Sequence, residues 1–177
     1  DRMKVLFIGG TGVISAACAT LCVARGIELT LLTRGQSAQP PPAGATLLRG
    51  DIRDPESARR ALGRREFDVV VDWVAFKPAH IEADLTLLRG RTGQYVFISS
   101  ASVYQTPPAS LPVTESTILD NPYWEYARDK IACEERLTQA YRDEKFPITI
   151  VRPGHTYGPT MVPLPGRYTP VHRLRTG

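Results

Sequence analysis

The chain has 177 residues, 42% of them apolar and 23% charged, with a formal net charge of +4; this is the make-up of a globular protein with one core, which at such a length buries roughly 70% of its unfolded surface. No apolar run approaches the roughly 20 residues that span a bilayer, and the first such run is short and leads straight into glycines, so neither a membrane span nor a signal peptide is expected and a cytoplasmic protein is. The basic residues (Arg59, Arg60, Arg64, Arg65, Arg89, Arg91) are scattered among acids, which reads as a solvated surface that also suits an anionic ligand; no nucleic-acid partner is expected.

Lys4-Val5-Leu6-Phe7-Ile8 is an apolar run that breaks into Gly9-Gly10-Thr11-Gly12 and resumes at Val13 with helical spacing: a strand, a tight turn and a helix start. In such a turn Gly9 supplies the bend and Gly12 lets the backbone approach a ligand, while the N–H groups that open the helix form a seat for phosphate. The spacing is Gly-x-x-Gly-x-x-Ser, not Gly-x-Gly-x-x-Gly, so the loop alone leaves open both a nucleotide seat and an ordinary strand-to-helix turn. A helix is expected over 13–25, ended by Gly26, then a strand over 27–33 and a surface loop over 35–44 around Pro40-Pro41-Pro42. A short strand over 46–49 leads to Gly50-Asp51-Ile52-Arg53-Asp54 and a helix over 55–62, with Asp54 as N-cap and Pro55 in its first turn. Strands over 67–73, 94–99 and 148–152 and helices over 79–88 and 121–142 complete the series. Beyond Gly158 the chain turns proline-rich (Pro159, Pro163, Pro165, Pro170) and shows no clear ending element, which reads as a chain that stops within a longer protein. Cys18, Cys22 and Cys133 lack the Cys-x-x-Cys spacing of redox or zinc sites and are expected to be buried thiols; no metal site is expected.

Strands alternating with helices imply right-handed crossovers and an α/β fold, a doubly wound parallel sheet covered on both faces. Ligands of such sheets bind at the carboxyl ends of the strands. That edge gathers the glycine loop, Thr33-Arg34, Asp51, Val74-Ala75-Phe76, Ser99-Ser100 and Pro153-Gly154-His155. In the long helix, Tyr126 and Lys130 are four apart and share a face. A free tyrosine titrates near pH 10, so service as a base near neutrality needs a shift of roughly three units, about 4 kcal/mol, part of which a neighbouring ammonium supplies. Ser99 and Ser100 end a strand at the same edge, where a hydroxyl can bond a substrate oxygen or simply cap the backbone.

The glycine loop, Gly50-Asp51-Ile52-Arg53-Asp54, Tyr95-Val96-Phe97-Ile98-Ser99-Ser100-Ala101-Ser102-Val103-Tyr104, Tyr126-x-x-x-Lys130 and Val151-Arg152-Pro153-Gly154-His155-Thr156-Tyr157-Gly158-Pro159 occur in the order found in extended short-chain dehydrogenases/reductases. From about Lys4 to Pro159 the chain resembles their nucleotide-sugar epimerase and dehydratase branch. The resemblance implies an NAD(P)-binding domain of Rossmann type over 1–158 and the start of a substrate-binding region over 159–177. It further implies that Gly9, Thr11, Gly12, Val13 and Ile14 hold the pyrophosphate, that Asp51 and Ile52 flank the adenine, and that Ala75, Phe76, Ser99 and Pro153 lie along the cofactor. Tyr126 is then the general acid/base, Lys130 holds the nicotinamide ribose and lowers the tyrosine pKa, and Ser100 bonds the reacting oxygen. Ser102 and His155 fall where the substrate would lie.

Three departures shape the expected activity. Ser15 stands where the fingerprint has its third glycine. The second strand ends in Thr33-Arg34 without a carboxylate, and Arg34 could pair with a 2′-phosphate, so NADP is expected over NAD. Ala101-Ser102 follows the serine pair where the dehydratases carry acids, which favours epimerisation or keto reduction over dehydration. Asp72-Trp73 also stands where relatives carry small or histidine residues, and the sequence does not explain it. The expectation is an NAD(P)-dependent epimerase or reductase of a sugar nucleotide, acting as a homodimer. The alternatives are a non-catalytic nucleotide-sensing or RNA-binding relative and a reductase of a small carbonyl metabolite.

Overall fold

In the computed structural model, described for residues 2–158, 162 and 169–176, six strands form one parallel sheet. They are β1 (Lys4–Ile8), β2 (Glu28–Thr33), β3 (Thr46–Arg49), β4 (Phe67–Asp72), β5 (Thr92–Ile98) and β6 (Ile148–Val151), in the spatial order β3-β2-β1-β4-β5-β6. The helices are α1 (Val13–Ala24), α2 (Pro55–Leu62), α3 (Pro78–Leu88), α4 (Glu125–Glu144) and α5 (Thr169–Thr176). The continuous apolar run of β1 is explained by burial on both faces: Leu6 and Ile8 belong to a core shared with α2, α3 and α4, while Val5 and Phe7 belong to a second core under α1. Burying each such side chain is worth roughly 1.5–3 kcal/mol.

Strand order reverses between β1 and β4, where Ile8 lies opposite both Leu32 and Asp72. A crevice opens there at the carboxyl edge, as doubly wound sheets require. The glycine turn occupies its middle. Gly9 and Gly10 have φ of +97° and +109°, values that L side chains rarely adopt, and a Cβ on Gly10 would lie 2.8 Å from a Leu31 methyl. The turn is locked by the Gly9 N–H donating to the Leu32 carbonyl at 2.9 Å. The Asp54 side chain caps α2 as expected, accepting from the N–H groups of Glu56 and Ser57.

Two elements depart from the sequence expectation beyond a residue or two. The long helix starts at Glu125, not at Asn121: the Asn121 side chain accepts from the Tyr123 N–H and donates to the Ser102 carbonyl, which holds 121–124 as a turn. A final helix, α5, forms where no ending element was read, beyond the proline-rich segment 159–168, of which only residue 162 lies within the described residues. Of the cysteines only Cys133 is buried, while Cys18 and Cys22 are half-buried; all three are free thiols.

Between β5 and α4 the chain makes a side excursion. Tyr104 and Leu119 form an antiparallel bridge, flanked by hydrogen bonds from Gln105 N–H to the Ile118 carbonyl and from Thr106 N–H to the Asp120 carbonyl. Arg152, just past β6, ties this excursion to α4: its Nε and Nη2 donate to the buried Glu134 carboxylate, and its Nη1 donates to the Tyr104 hydroxyl at 3.1 Å. Among the described residues no helix is long and apolar enough to cross a membrane.

Candidate active site

Two cavities lie along the carboxyl edge of the sheet. The first, about 180 Å³, is bounded by Gly9, Thr11, the 32–37 turn, the 50–53 turn and Val74. The expected residues Thr33, Arg34, Asp51 and Ile52 all line it. Arg34 is exposed and makes no hydrogen bond or ion pair within the described residues, so its guanidinium is available to a ligand anion. The Asp51 carboxylate accepts from the Arg53 N–H at 2.9 Å, and the Arg53 guanidinium donates to the Val74 carbonyl, which closes the floor.

The second cavity, about 640 Å³, brings the start of α1 together with Ser99, Ser100, Tyr126, Lys130 and Pro153. Gly12, Val13 and Ile14 line it with the first turn of α1, whose N–H groups have no intrahelical acceptor. Ser15, at the third-glycine position, is buried, and its hydroxyl accepts the Gly12 N–H at 2.8 Å. It fixes the approach to the helix that a glycine would leave loose.

Tyr126 stands between Phe76 and Trp124, with ring centroids 6.3 and 4.8 Å away. Burial raises its pKa above the ordinary tyrosine value, and the Ser100 hydroxyl opposes that rise. The lowering expected from Lys130 is absent, for a geometric reason. The ammonium donates to the main-chain carbonyls of Ala75 at 2.7 Å and Ile98 at 2.6 Å, and it lies 4.6, 4.8 and 5.7 Å from the ring centres of Phe97, Phe76 and Tyr126. Burial pulls the Lys130 pKa down to about 8, against Cys133, Asp72 and Glu134, which hold it up.

Three expected residues are placed differently from the rest. Ala75 is buried and contributes its carbonyl to Lys130 instead of lining either cavity. Ser102 is turned back by the 3₁₀ turn 101–103, and its hydroxyl donates to Ser100 at 2.8 Å, so it orients Ser100 and does not line the cavity. His155 is exposed between Gly154 and Thr156, both of which do line it. Sequence reasoning missed Trp73, Trp124 and Thr156 here, and Gln36, Ser37 and Arg53 in the first cavity. Trp124, two residues before Tyr126, was the signal available.

The residues fit a dinucleotide. Trp73 and Ser99 line the second cavity, and the buried indole N–H of one and hydroxyl of the other have no partner among the described residues, whereas buried groups of this kind are paired in folded proteins. The helix start and the exposed Arg34 add sites for anions on both cavities.

Residues 5–172 match the NAD dependent epimerase/dehydratase family. The chain belongs to that family. Its curated relatives include the 2′-dehydrokanamycin reductase of Streptomyces kanamyceticus, 28% identical over 89% of this chain and 44% of the relative. The chloroplast stem-loop binding protein of 41 kDa b of Arabidopsis thaliana is 30% identical over 100% of this chain and 48% of the relative. The UDP-glucose 4-epimerase of Streptomyces lividans is 31% identical over 76% of this chain and 46% of the relative. The chain thus spans about half the length of the curated relatives it matches.

Proposed function

We propose that this family member is the cofactor-binding part of an NAD(P)-dependent epimerase or reductase acting on a nucleotide sugar, with NADP preferred, and that the segment from 159 through α5 opens its substrate-binding region. The observation that carries the reading is the meeting of Ser100, Tyr126 and Lys130 with the first turn of α1 around one cavity. Val13 and Ile14 would hold the pyrophosphate, Asp51 and Ile52 the adenine, and Lys130 the nicotinamide ribose. The bound nicotinamide supplies the site that accepts and returns hydride. Tyr126 moves the proton on the substrate oxygen, and Ser100, held by Ser102, bonds that same oxygen. Burial holds the Tyr126 phenol in its protonated form, the state that donates to a carbonyl oxygen. Trp124 and Phe76 flank Tyr126 with apolar faces suited to the C–H face of a sugar ring. The relationship to a UDP-glucose 4-epimerase supports that substrate class.

The stem-loop binding relative supports a second reading, a nucleotide-regulated RNA-binding protein. The complete Ser100, Tyr126 and Lys130 set favours the enzyme. Fluorescence titration of the purified chain with NADPH and NADH, repeated with Arg34→Asp, tests the proposal. NADPH is expected to bind at least about tenfold tighter, with the order reversed in the variant, since a charge-assisted pair is lost and a repulsion gained. Equal affinities unchanged by the substitution overturn the NADP preference. Failure of both nucleotides to bind, with retention of a stem-loop RNA, transfers the case to the second reading.

A further inference from the structure

Beneath the second cavity lie two carboxyl groups that the proposed chemistry does not use. Asp72, the last residue of β4, and Asp84 in α3 are each 1% exposed. Asp72 Oδ1 accepts from the N–H groups of Val74 at 2.5 Å and Ala75 at 2.8 Å, so it builds the turn that follows the strand. Asp84 Oδ2 accepts from the Tyr95 hydroxyl at 2.5 Å. Among the described residues the remaining oxygen of each carboxyl has no donor, and Asp72 acts on Asp84 through its charge and a side-chain hydrogen bond. Two buried carboxylates in contact cannot both stay ionised, whereas one proton between them serves both orphan oxygens.

The hydrogen bonds decide where that proton resides. Asp72 faces two main-chain donors, which favour a carboxylate, while Asp84 has one phenol and apolar surroundings. Burial and the neighbouring Asp72 raise the Asp84 pKa well above the usual carboxylate range, in the same sense. The other titratable groups facing the cluster are Arg53, His80 of α3, Tyr95 of β5, and Lys130, Cys133 and Glu134 of α4.

The turn that Asp72 builds presents the Ala75 carbonyl, which accepts from the Lys130 ammonium. We propose that Asp72 is a positioning residue that seats Lys130 through this turn and keeps its ammonium charged below the cavity, with Asp84 as its proton-bearing partner. The seating of the lysine is a statement about the protein alone; its use in the reaction rests on the function proposed above. The unusual Asp72-Trp73 pair thereby acquires a joint role: the aspartate fixes the turn, and the tryptophan within it faces the cavity.

The roles of the two acids are unequal, and that asymmetry is the test. With the chain labelled with ¹⁵N-lysine, the Lys130 Nζ resonance, assigned by its loss in Lys130→Arg, is followed against pH without cofactor or substrate. The wild-type midpoint is expected near 8. Asp72→Asn keeps an oxygen for the Val74 and Ala75 N–H groups but removes the charge, and should lower that midpoint by about one unit. Asp84→Asn keeps an acceptor for Tyr95 and a permanent donor toward Asp72, so it mimics the protonated acid and should leave the midpoint within about 0.3 unit of wild type. Equal shifts in the two variants, or none in Asp72→Asn, overturn the proposal. If Asp72→Asn fails to fold, Asp84→Asn still decides, because a displaced Lys130 midpoint in a folded Asp84→Asn protein is incompatible with the assignment. Loss of NADPH binding by the wild type would defeat the enzyme reading and leave this titration intact.

Discussion

On the β1–β2–β3 side of the sheet, the buried polar side chains among the described residues are the uncharged Ser15 and Thr30; on the β4–β5–β6 side they include Asp72, Asp84, Lys130 and Glu134. The first half presents main chain to the crevice, through two glycines at positive φ and a helix start, and keeps its charged groups, such as Arg34, at the surface. The second half places ionisable side chains below the crevice and holds each one with a specific partner. The two halves therefore suit different tasks. Backbone donors recognise a phosphate with little dependence on pH, whereas buried ionisable groups are what proton transfer needs.

The contrast is broken most severely at Arg152. Its replacement by Met leaves Glu134, whose side chain is 3% exposed, buried with its guanidinium partner gone, which should cost about 3–5 kcal/mol. Thermal unfolding should then fall by about 10 °C for a chain of this size, and Arg152→Met combined with Glu134→Leu should recover most of it. A fall of under about 2 °C in the single variant would show that the second half does not depend on its paired charges. On the other side, Gly10→Ala forces a Cβ onto a residue at φ +109° and should cost about 1–3 kcal/mol with no change in the pH dependence of stability. A denaturant midpoint equal to wild type would remove the case for a backbone-built half.

The smallest effect is a dependence on pH confined to the second half. Lys130 in the unfolded chain keeps its proton up to about 10.5, and in the folded chain only up to about 8. Between those values the unfolded chain binds more protons, so this group makes stability rise with pH. Compared with Lys130→Met, the wild type should therefore gain roughly a few °C in Tm from pH 8 to pH 10.5. A Tm difference between the two proteins that stays flat across this window would contradict the burial of a charged lysine.

The half built from main chain was the more legible in the sequence. Glycine spacing and unbroken apolar strands are local signals, and they placed β1, the turn and α1 together with the crevice. Ser100, Tyr126 and Lys130 were also legible, because a strand end and a four-residue helical spacing put them at one edge. What escaped depends on contacts between distant segments. Asn121 reads as helical until its side chain meets the Ser102 carbonyl, and nothing in their spacing announces that the buried Asp72 and Asp84 act on each other. The direction of the Tyr126 shift escaped for a related reason: the spacing brings Lys130 near the ring but does not reveal that the Ala75 carbonyl of the turn after β4 and the Ile98 carbonyl at the end of β5 take up its N–H groups.

The bridge between Tyr104 and Leu119 also bears on how this architecture tolerates change. It closes residues 105–118 into a surface excursion whose two ends are already held, one of them by Arg152. Lengthening such a closed loop adds only about 0.6 kcal/mol for each doubling. Insertions between 107 and 117 would therefore leave Ser100, Asn121 and the start of α4 where they are. That segment is a ready point for grafting new sequence beside the second cavity, and a library of loop lengths there should retain the fold.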